Sequence, residues 1–492
     1  MCGIVGYIGN KEAQPILLSG LKRLEYRGYD SSGMAVVSRG GNKILVHKAQ
    51  GKISALERIL QKSSLLGSLG IAHTRWATHG APNQVNAHPH TDCSGKLAIV
   101  HNGIIENYAL LKDQLLHKGH KFRSQTDTEV ISHLIEDYLK NSSSLEEAVR
   151  KTLKKLTGSF ALGVISKAEP DKLICAKMGS PLVIGIGKGE NYLASDVPAL
   201  LDFAKDVIYL NDGEMAVLSK DSVKITDLSG KNIKRATVKI TWDVSQAQKQ
   251  GFPHFMIKEI NEQPKILKDI LIQRLEKNTC QIHFDELKLK ERDFLKVKNI
   301  VIVACGTAYH AGLCGKYIFE EILSLPVIVD VSSEFRYRKL LVDRDSLVIS
   351  VSQSGETADT LAAVREAKRL GAKTLTICNV LGSSLTRESD GVIYTHAGPE
   401  IGVASTKAYT AQLAGFYLFA LYLAGIKKSL SCKDIKKYTQ ELQKLPHLIE
   451  VVLKNQNGIR TLSRRHSHLG SFLFLKLIVP PAQVASICKK QI

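Results

Sequence analysis

At 492 residues the chain is too long for one compact core and is expected to hold roughly two to four domains. A hydrophobic share of 44% against 23% charged residues excludes a disordered chain. The 67 Lys and Arg outnumber the 47 Asp and Glu by 20, but with 6% aromatics and no RRM, KH or zinc-finger pattern this surplus reads as solvated lysine faces plus an anionic small ligand.

Nine cysteines stand at 2, 93, 175, 280, 305, 314, 378, 432 and 488. The odd count and the lack of CxxC spacing argue against a disulfide framework or a zinc ribbon and for a reducing compartment. We find no apolar run of the roughly 18–20 residues that a membrane span needs. MCGIVGYIGN lacks the positive n-region of a signal peptide, so a cytoplasmic protein is expected.

In chain order, short β-like runs come first, at 3–8, 34–37, 44–48, 70–74, 97–100, 160–166, 173–176 and 182–186, with turn residues between them. Helical periodicity lies near 105–118, 127–140 and 145–156. Many strands with a few helices predict an α+β sandwich. IKEINEQPKILKDILIQRL predicts an amphipathic helix interrupted by Pro264 within a charged connector, 226–294. From 295 the rhythm changes: NIVIVA (299–304), PVIVDV (326–331), SLVISVS (346–352) and KTLTICN (373–379) alternate with amphipathic stretches, predicting a doubly wound parallel sheet over 295–435.

Cys2 follows the initiator Met directly. Removal of that Met leaves a cysteine whose α-amine titrates near about 7.7–8.0 and can act as base beside its own thiol. The plain alternative is an exposed residue at a frayed end, but CGIVGYIG is apolar and glycine-rich, like a buried first strand. Four polar clusters accompany it. RGYDSSG (27–33) comes first; HTRWATHG (73–80) and HNGIIEN (101–107) end strands; TDTEV (126–130) opens a helix with Thr126 or Asp127 near its N-cap. His88 and His90 in NAHPH lack a carboxylate or Cys at ligand spacing and are assigned structural roles rather than a metal.

In combination these segments resemble the class II glutamine amidotransferase domain, an N-terminal-nucleophile glutaminase of αββα sandwich architecture, over residues 2–225. The resemblance implies that the Cys2 thiol attacks the glutamine amide while its α-amine relays the proton. It also implies that Asn102 and the Gly103 N–H stabilise the oxyanion, and that Arg75 and Asp127 hold the α-carboxylate and α-ammonium of glutamine. Trp76, Thr78 and His79 would line or close the pocket, with Trp76 gating the passage of ammonia.

Two strand-to-helix turns in the second half, ACGTAYHAG (304–312) and SVSQSGETADT (350–360), carry the hydroxyls and glycines of an anion cradle. Neither is a Walker A or a GxGxxG turn, so a phosphomonoester is favoured over a nucleotide. With EIGVASTKAYT (400–410) they resemble the sugar isomerase (SIS) domain. The resemblance implies that Ser352, Gln353, Ser354 and Thr357 bind phosphate, Thr307 binds the sugar and Val403 lies beside it. Lys407 is read as structural. A glutaminase half followed by a SIS half resembles the sugar-phosphate amidotransferases, implying glutamine and fructose 6-phosphate as substrates and glucosamine 6-phosphate as product. No cofactor and no metal are implied, no nucleic acid or membrane partner is expected, and a homodimer through the SIS half is.

The chain departs from that family at its end. Residues 436–492 read as the start of a second SIS domain, with KLIVPPAQVASICKKQI like a frameshifted tail. The isomerase base, ring-opening histidine and Schiff-base lysine of the family find no match, so loss of sugar amination is the expectation. A residual glutaminase or a sugar-phosphate-binding protein is the alternative. A phosphoribosyl-transfer enzyme or an asparagine synthetase is disfavoured, because neither an acidic diphosphate-sugar loop nor an SGGxDS-type loop is found.

Overall fold

The computed structural model describes residues 2–25, 28–77, 79–240, 249–276, 279–339 and 341–469. The chain divides into two compact units, 1–248 and 249–492.

The first unit runs β1 (Gly3–Ile8), α1 (Ala13–Leu24), β2 (Ser31–Val37), β3 (Ile44–Gln50), α2 (Ile53–Lys62), β4 (Leu69–Arg75), β5 (His90–Thr91) and β6 (Leu97–Ile105). It continues with α3 (Tyr108–His117), α4 (Glu129–Leu139), α5 (Leu145–Leu153), β7 (Gly158–Ser166), β8 (Leu173–Met178), β9 (Val183–Ile186) and β10 (Asn191–Ala194). It closes with β11 (Asp206–Tyr209), β12 (Glu214–Leu218), β13 (Val223–Asp227) and β14 (Val238–Lys239).

Two antiparallel sheets form, ordered β14-β11-β9-β10-β1-β4-β2-β3 and β13-β12-β8-β7-β6-β5. Alternation of side chains along each strand makes the layers. In β1, Ile4 and Ile8 face the other sheet, packing with Val100 and Ala161, while Val5 and Tyr7 face Leu17 and Leu21 of α1. In β6, Ala98 and Val100 point between the sheets, and Leu97 and Ile99 meet Val130 and Ile131 of α4. The result is the expected four-layer αββα sandwich. Because both sheet faces are covered, β1 and β4 are buried along their whole length.

The second unit runs α6 (Phe255–Arg274), α7 (Glu291–Leu295), β15 (Asn299–Ala304), α8 (Thr307–Leu323), β16 (Val327–Val331), α9 (Ser332–Tyr337), β17 (Ser346–Ser352) and α10 (Ala358–Arg369). β18 (Lys373–Cys378), α11 (Ser384–Glu388), β19 (Gly391–Tyr394), α12 (Lys407–Lys427), α13 (Cys432–Lys454) and α14 (Gln456–Arg465) follow. Its five strands are all parallel, in the order β16-β15-β17-β18-β19. Ile300, Ile302 and Ile349 face a core shared with α6, α8 and α12, whereas Val301, Val303 and Val348 face Phe335 and Ala363 on the opposite side. The sheet is therefore doubly wound, as the alternating strands and helices predict.

Several details differ from the sequence reading. α6 runs straight through Pro264. The ring removes the amide that Ile260 O would accept, and Gln263 Nε2 donates to that carbonyl instead at 3.0 Å. Within the stretch read as a connector, Leu267, Ile270 and Leu271 of α6 belong to the core of the second unit. Among the described residues one helix, α12, is long and apolar enough to cross a membrane by length and composition, against the expectation of none; 61% of its apolar window lies buried. Cys280 and Cys432 are joined in a disulfide across 152 residues of sequence, a pairing that local spacing could not signal. Thr78 and the tail 470–492, on which the second-SIS reading rests, lie outside the described residues.

Candidate functional site

Strand pairing places Cys2. β1 pairs with β4 so that Gly3 lies opposite Thr74, which brings the residue before β1 beside the end of β4. The Trp76 amide donates to Cys2 Sγ at 3.3 Å, and Sγ lies 3.5 Å from Trp76 O. Burial pushes the thiol above its ordinary range; the Trp76 N–H and the nearby Arg75 charge pull it partly back. The resting sulfur is thus a neutral thiol that needs a base when it reacts.

Asn102 reaches Cys2 from the second sheet. Its Nδ2 donates to Cys2 O at 3.1 Å, while its Oδ1 accepts from His73 Nε2 at 2.9 Å. His73 therefore fixes which end of the amide faces the cysteine. Sequence reasoning named Asn102 but missed His73, whose only signal was its place two residues before Arg75 in HTR. Gly103 follows with φ 131°, and a Cβ there would lie 2.0 Å from Ser159 O. HNGIIEN does end a strand, but the strand runs to Ile105 rather than to 100, because Asn102 and Gly103 pair with Ala161 and Phe160. Gly103→Ala is expected to destabilise the first unit by about 2 kcal/mol or more, read as a lowered thermal midpoint.

Arg75 is 3% exposed and donates to the carbonyls of Gly80 and Ala81 at 3.2 and 3.4 Å, and also to His79 O. It thereby shapes the 79–81 loop. Trp76 is exposed, edge-on to Tyr29, and His79 packs edge-on to Tyr108. Asp30, which sequence reasoning did not single out, accepts from the Ala77 N–H and so ties RGYDSSG to HTRWATHG. Asp127 is not the helix cap. Thr128 occupies that position, and Asp127 Oδ2 accepts from Ile105 N at 2.8 Å, tying α4 to the end of β6. His88 stacks on His73 at 4.1 Å and accepts from the His101 amide, and His90 Nε2 lies 3.1 Å from Thr126 Oγ1.

The second unit carries its own candidate cradle. β15 and β17 are neighbours, but β15 crosses over to β16 on one side and β17 to β18 on the other. Their ends therefore flank a topological switch point, where α/β sheets place ligands. Ser352 ends β17; its Oγ accepts from Gly355 N at 3.0 Å and lies 3.2 Å from Thr357 Oγ1. Ser354 Oγ accepts from Glu356 N at 3.2 Å, and Gln353 O accepts from Asn379 N at 3.3 Å. Gly355 has φ 67°, and a Cβ there would meet Ser383 Oγ at 2.0 Å. Thr357 is the N-cap of α10, and Thr307 is the first residue of α8, after Gly306. Two helix N-termini and several hydroxyls thus follow the ends of two adjacent strands, the arrangement that suits a phosphate. Glu259 holds Ile401 N and Gly402 N, and Glu400 holds Thr406 N, so the 400–407 loop is pinned with Val403 exposed. Lys407 is buried and paired with Glu262 at 2.7 Å, which makes it a structural ion pair.

Comparison with known proteins gives the same division. Residues 73–202 match the glutamine amidotransferase domain family and residues 293–422 the SIS domain family. The chain is 49% identical over 475 residues to a protein of Caldanaerobacter subterraneus subsp. tengcongensis named glutamine--fructose-6-phosphate aminotransferase [isomerizing], covering 96% of this chain and 77% of that one. It is 47% identical over 496 residues to the protein of that name from Thermococcus kodakarensis, covering 100% and 81%. Among solved structures it is similar to the C-terminal domain of glucosamine-fructose-6-phosphate aminotransferase from Francisella tularensis, with 43% identity, 45% and 61% coverage and a TM-score of 0.42.

Proposed function

Because the chain belongs to the glutamine–fructose-6-phosphate aminotransferase family over 96% of its length, we propose, in place of the loss of sugar amination expected from its tail, that it is a transferase that moves the amide nitrogen of glutamine to fructose 6-phosphate, giving glutamate and glucosamine 6-phosphate. The observation that carries the glutamine half is the pairing of a half-buried thiol with an oriented amide. Cys2 Sγ stands at the Trp76 N–H, and His73 turns Asn102 Nδ2 toward the same residue.

In this reading the α-amine of a processed Cys2 takes the thiol proton as Sγ bonds to the side-chain carbonyl carbon of glutamine. Asn102 Nδ2 and the Gly103 N–H receive the oxyanion, a contribution of about 10²–10³ in rate per donor. The proton passes to the leaving nitrogen, the C–N bond breaks, and water hydrolyses the thioester to glutamate. Arg75 and Asp127 take the α-carboxylate and α-ammonium, with Trp76, Thr78 and His79 around them. The backbone carbonyls that Arg75 already holds use part of a fork with five N–H donors.

The fructose 6-phosphate half rests on the switch-point turns. Ser352, Gln353, Ser354 and Thr357 are its phosphate ligands, with Thr307 and Val403 toward the sugar. Ser352→Ala is expected to weaken fructose 6-phosphate binding about tenfold or more in calorimetry, because it removes a ligand and also frees the Gly355 amide that shapes the turn. A cytoplasmic homodimer completes the reading. Exposed Leu448, Val451, Val452, Ile459 and Leu462 on α13 and α14 offer it an apolar face, which light scattering on the purified chain tests.

The test of the whole is glutamate release from glutamine with and without fructose 6-phosphate, followed by assay for glucosamine 6-phosphate. Sugar-stimulated release with amino-sugar formation supports the transferase. Glutamate without amino sugar leaves a glutaminase, and sugar-phosphate binding without glutamate leaves a binding protein.

A further inference from the structure

Away from Cys2, four side chains that sequence spacing scatters converge on one point: Cys93 in the β5–β6 turn, His120 after α3, and His133 and Glu136 one turn apart on α4. Cys93 Sγ lies 3.5 Å from His133 Nδ1 and 3.7 Å from His120 Nδ1. Glu136 Oε2 lies 3.1 Å from His120 Nδ1 and 3.3 Å from His133 Nδ1. These are four of the six edges of a tetrahedron, each close to the right size, and all four ligand atoms lie within 4.8 Å of one another. Bonds of about 2.3 Å to sulfur and about 2.0–2.1 Å to nitrogen and oxygen give S···N edges of about 3.6 Å and N···O edges of about 3.3 Å.

The surroundings fit a metal as well. Each imidazole turns Nδ1 to the centre and Nε2 toward a carboxylate: His133 Nε2 lies 3.5 Å from Glu129 Oε1 and His120 Nε2 lies 3.7 Å from Asp137 Oδ1. Such carboxylates orient and enrich histidine ligands. Both imidazoles are buried, and neither Nε2 makes a full hydrogen bond to protein. The Lys121 amide also donates to Cys93 Sγ at 3.4 Å, which holds the sulfur in place.

We propose that Cys93, His120, His133 and Glu136 form a structural site for a divalent, borderline-soft cation, Zn²⁺ in the first instance. One thiolate, one carboxylate and two neutral imidazoles balance its charge, and four protein ligands close its tetrahedron, the mark of a structural rather than a catalytic site. The ion clips the β5–β6 turn to α4, the helix that begins beside Asp127. The inference does not depend on the transferase reading.

The test uses the full chain, stripped with a chelator and titrated with Co²⁺ and then Zn²⁺. A thiolate-to-cobalt charge-transfer band saturating at about one equivalent, and erased by Zn²⁺, is the expected result. Cys2→Ala supplies a background without the other candidate thiol, and Cys93→Ala in that background is expected to lose the band. A second readout needs no variant at Cys93. Zn²⁺ is expected to slow alkylation of this solvent-accessible thiol about tenfold or more, followed by peptide mass spectrometry. No cobalt–thiolate band, a band that survives Cys93→Ala, or alkylation of Cys93 at one rate with and without Zn²⁺ each overturns the site.

Discussion

Cys2→Ala is expected to lower glutamine hydrolysis by about a thousandfold or more while leaving the thermal midpoint within a few degrees. The size follows from chemistry. Alanine keeps the strand and its burial but removes the atom that must bond to the amide carbon, and no other described cysteine lies beside Trp76 and Asn102. Cys2→Ser separates nucleophile from packing, since the hydroxyl fills the same space but is a far weaker nucleophile at neutral pH. Intact mass spectrometry is the companion measurement. The amine can serve as base only if methionine is removed, so hydrolysis by material that retains it, or hydrolysis unchanged in Cys2→Ala, sinks the mechanism. With the thiol pushed up by burial, kcat/KM for glutamine is expected to fall as pH drops below the range of an α-amine, about 7–8.

The second large effect is acid destabilisation of the first unit. His73 stacks on His88, and His90 meets His88 edge-on, at 4.1 and 4.8 Å between ring centres. Burial lowers all three: His73 to about 3, and His88 and His90 well below the ordinary imidazole range. The unfolded chain titrates them near about 6.5, so below that pH it binds protons that the folded chain refuses. Stability from these groups is complete above about pH 6.5 and is lost progressively toward the lowered folded values. At pH 5.5 each histidine contributes a loss of about 1.4 kcal/mol, roughly 4 kcal/mol for the three. Urea midpoints at pH 7.5 and 5.5 measure it. His88→Gln is expected to lower the pH slope even where it also lowers stability, and equal midpoints at the two pH values would contradict the neutral stack. Because His73 orients Asn102, hydrolysis is expected to fail along with the fold in the same acid range.

How the fold could be read ahead of the structure follows from burial. In β1 both faces are covered, so its unbroken apolar run is still recognisable as a strand. In the second unit the alternation of strand and helix could be read because each parallel strand needs a crossover helix. Positions at strand ends were found wherever the local residues carried their own chemistry, as in HTRWATHG and SQSGET. Where local preference and pairing conflict, the sequence reading stops early. Asn and Gly are poor strand formers, yet β7 holds them in β6, and Asp127 looks like a cap until the Ile105 amide claims it.

Sequence alone determined the type of most elements, the two-part organisation and the candidates proposed above for nucleophile, oxyanion donors and phosphate cradle, because periodicity and turn chemistry are local properties. Only the tertiary structure decided which of them meet. Cys2 comes to Trp76 across 74 residues and to Asn102 across 100, Cys280 reaches Cys432 across 152, and Cys93 joins His120, His133 and Glu136 from three separate elements. These meetings depend on strand order and on helices docking over sheets. Both are settled by long-range burial of apolar faces, and no window of neighbouring residues encodes them.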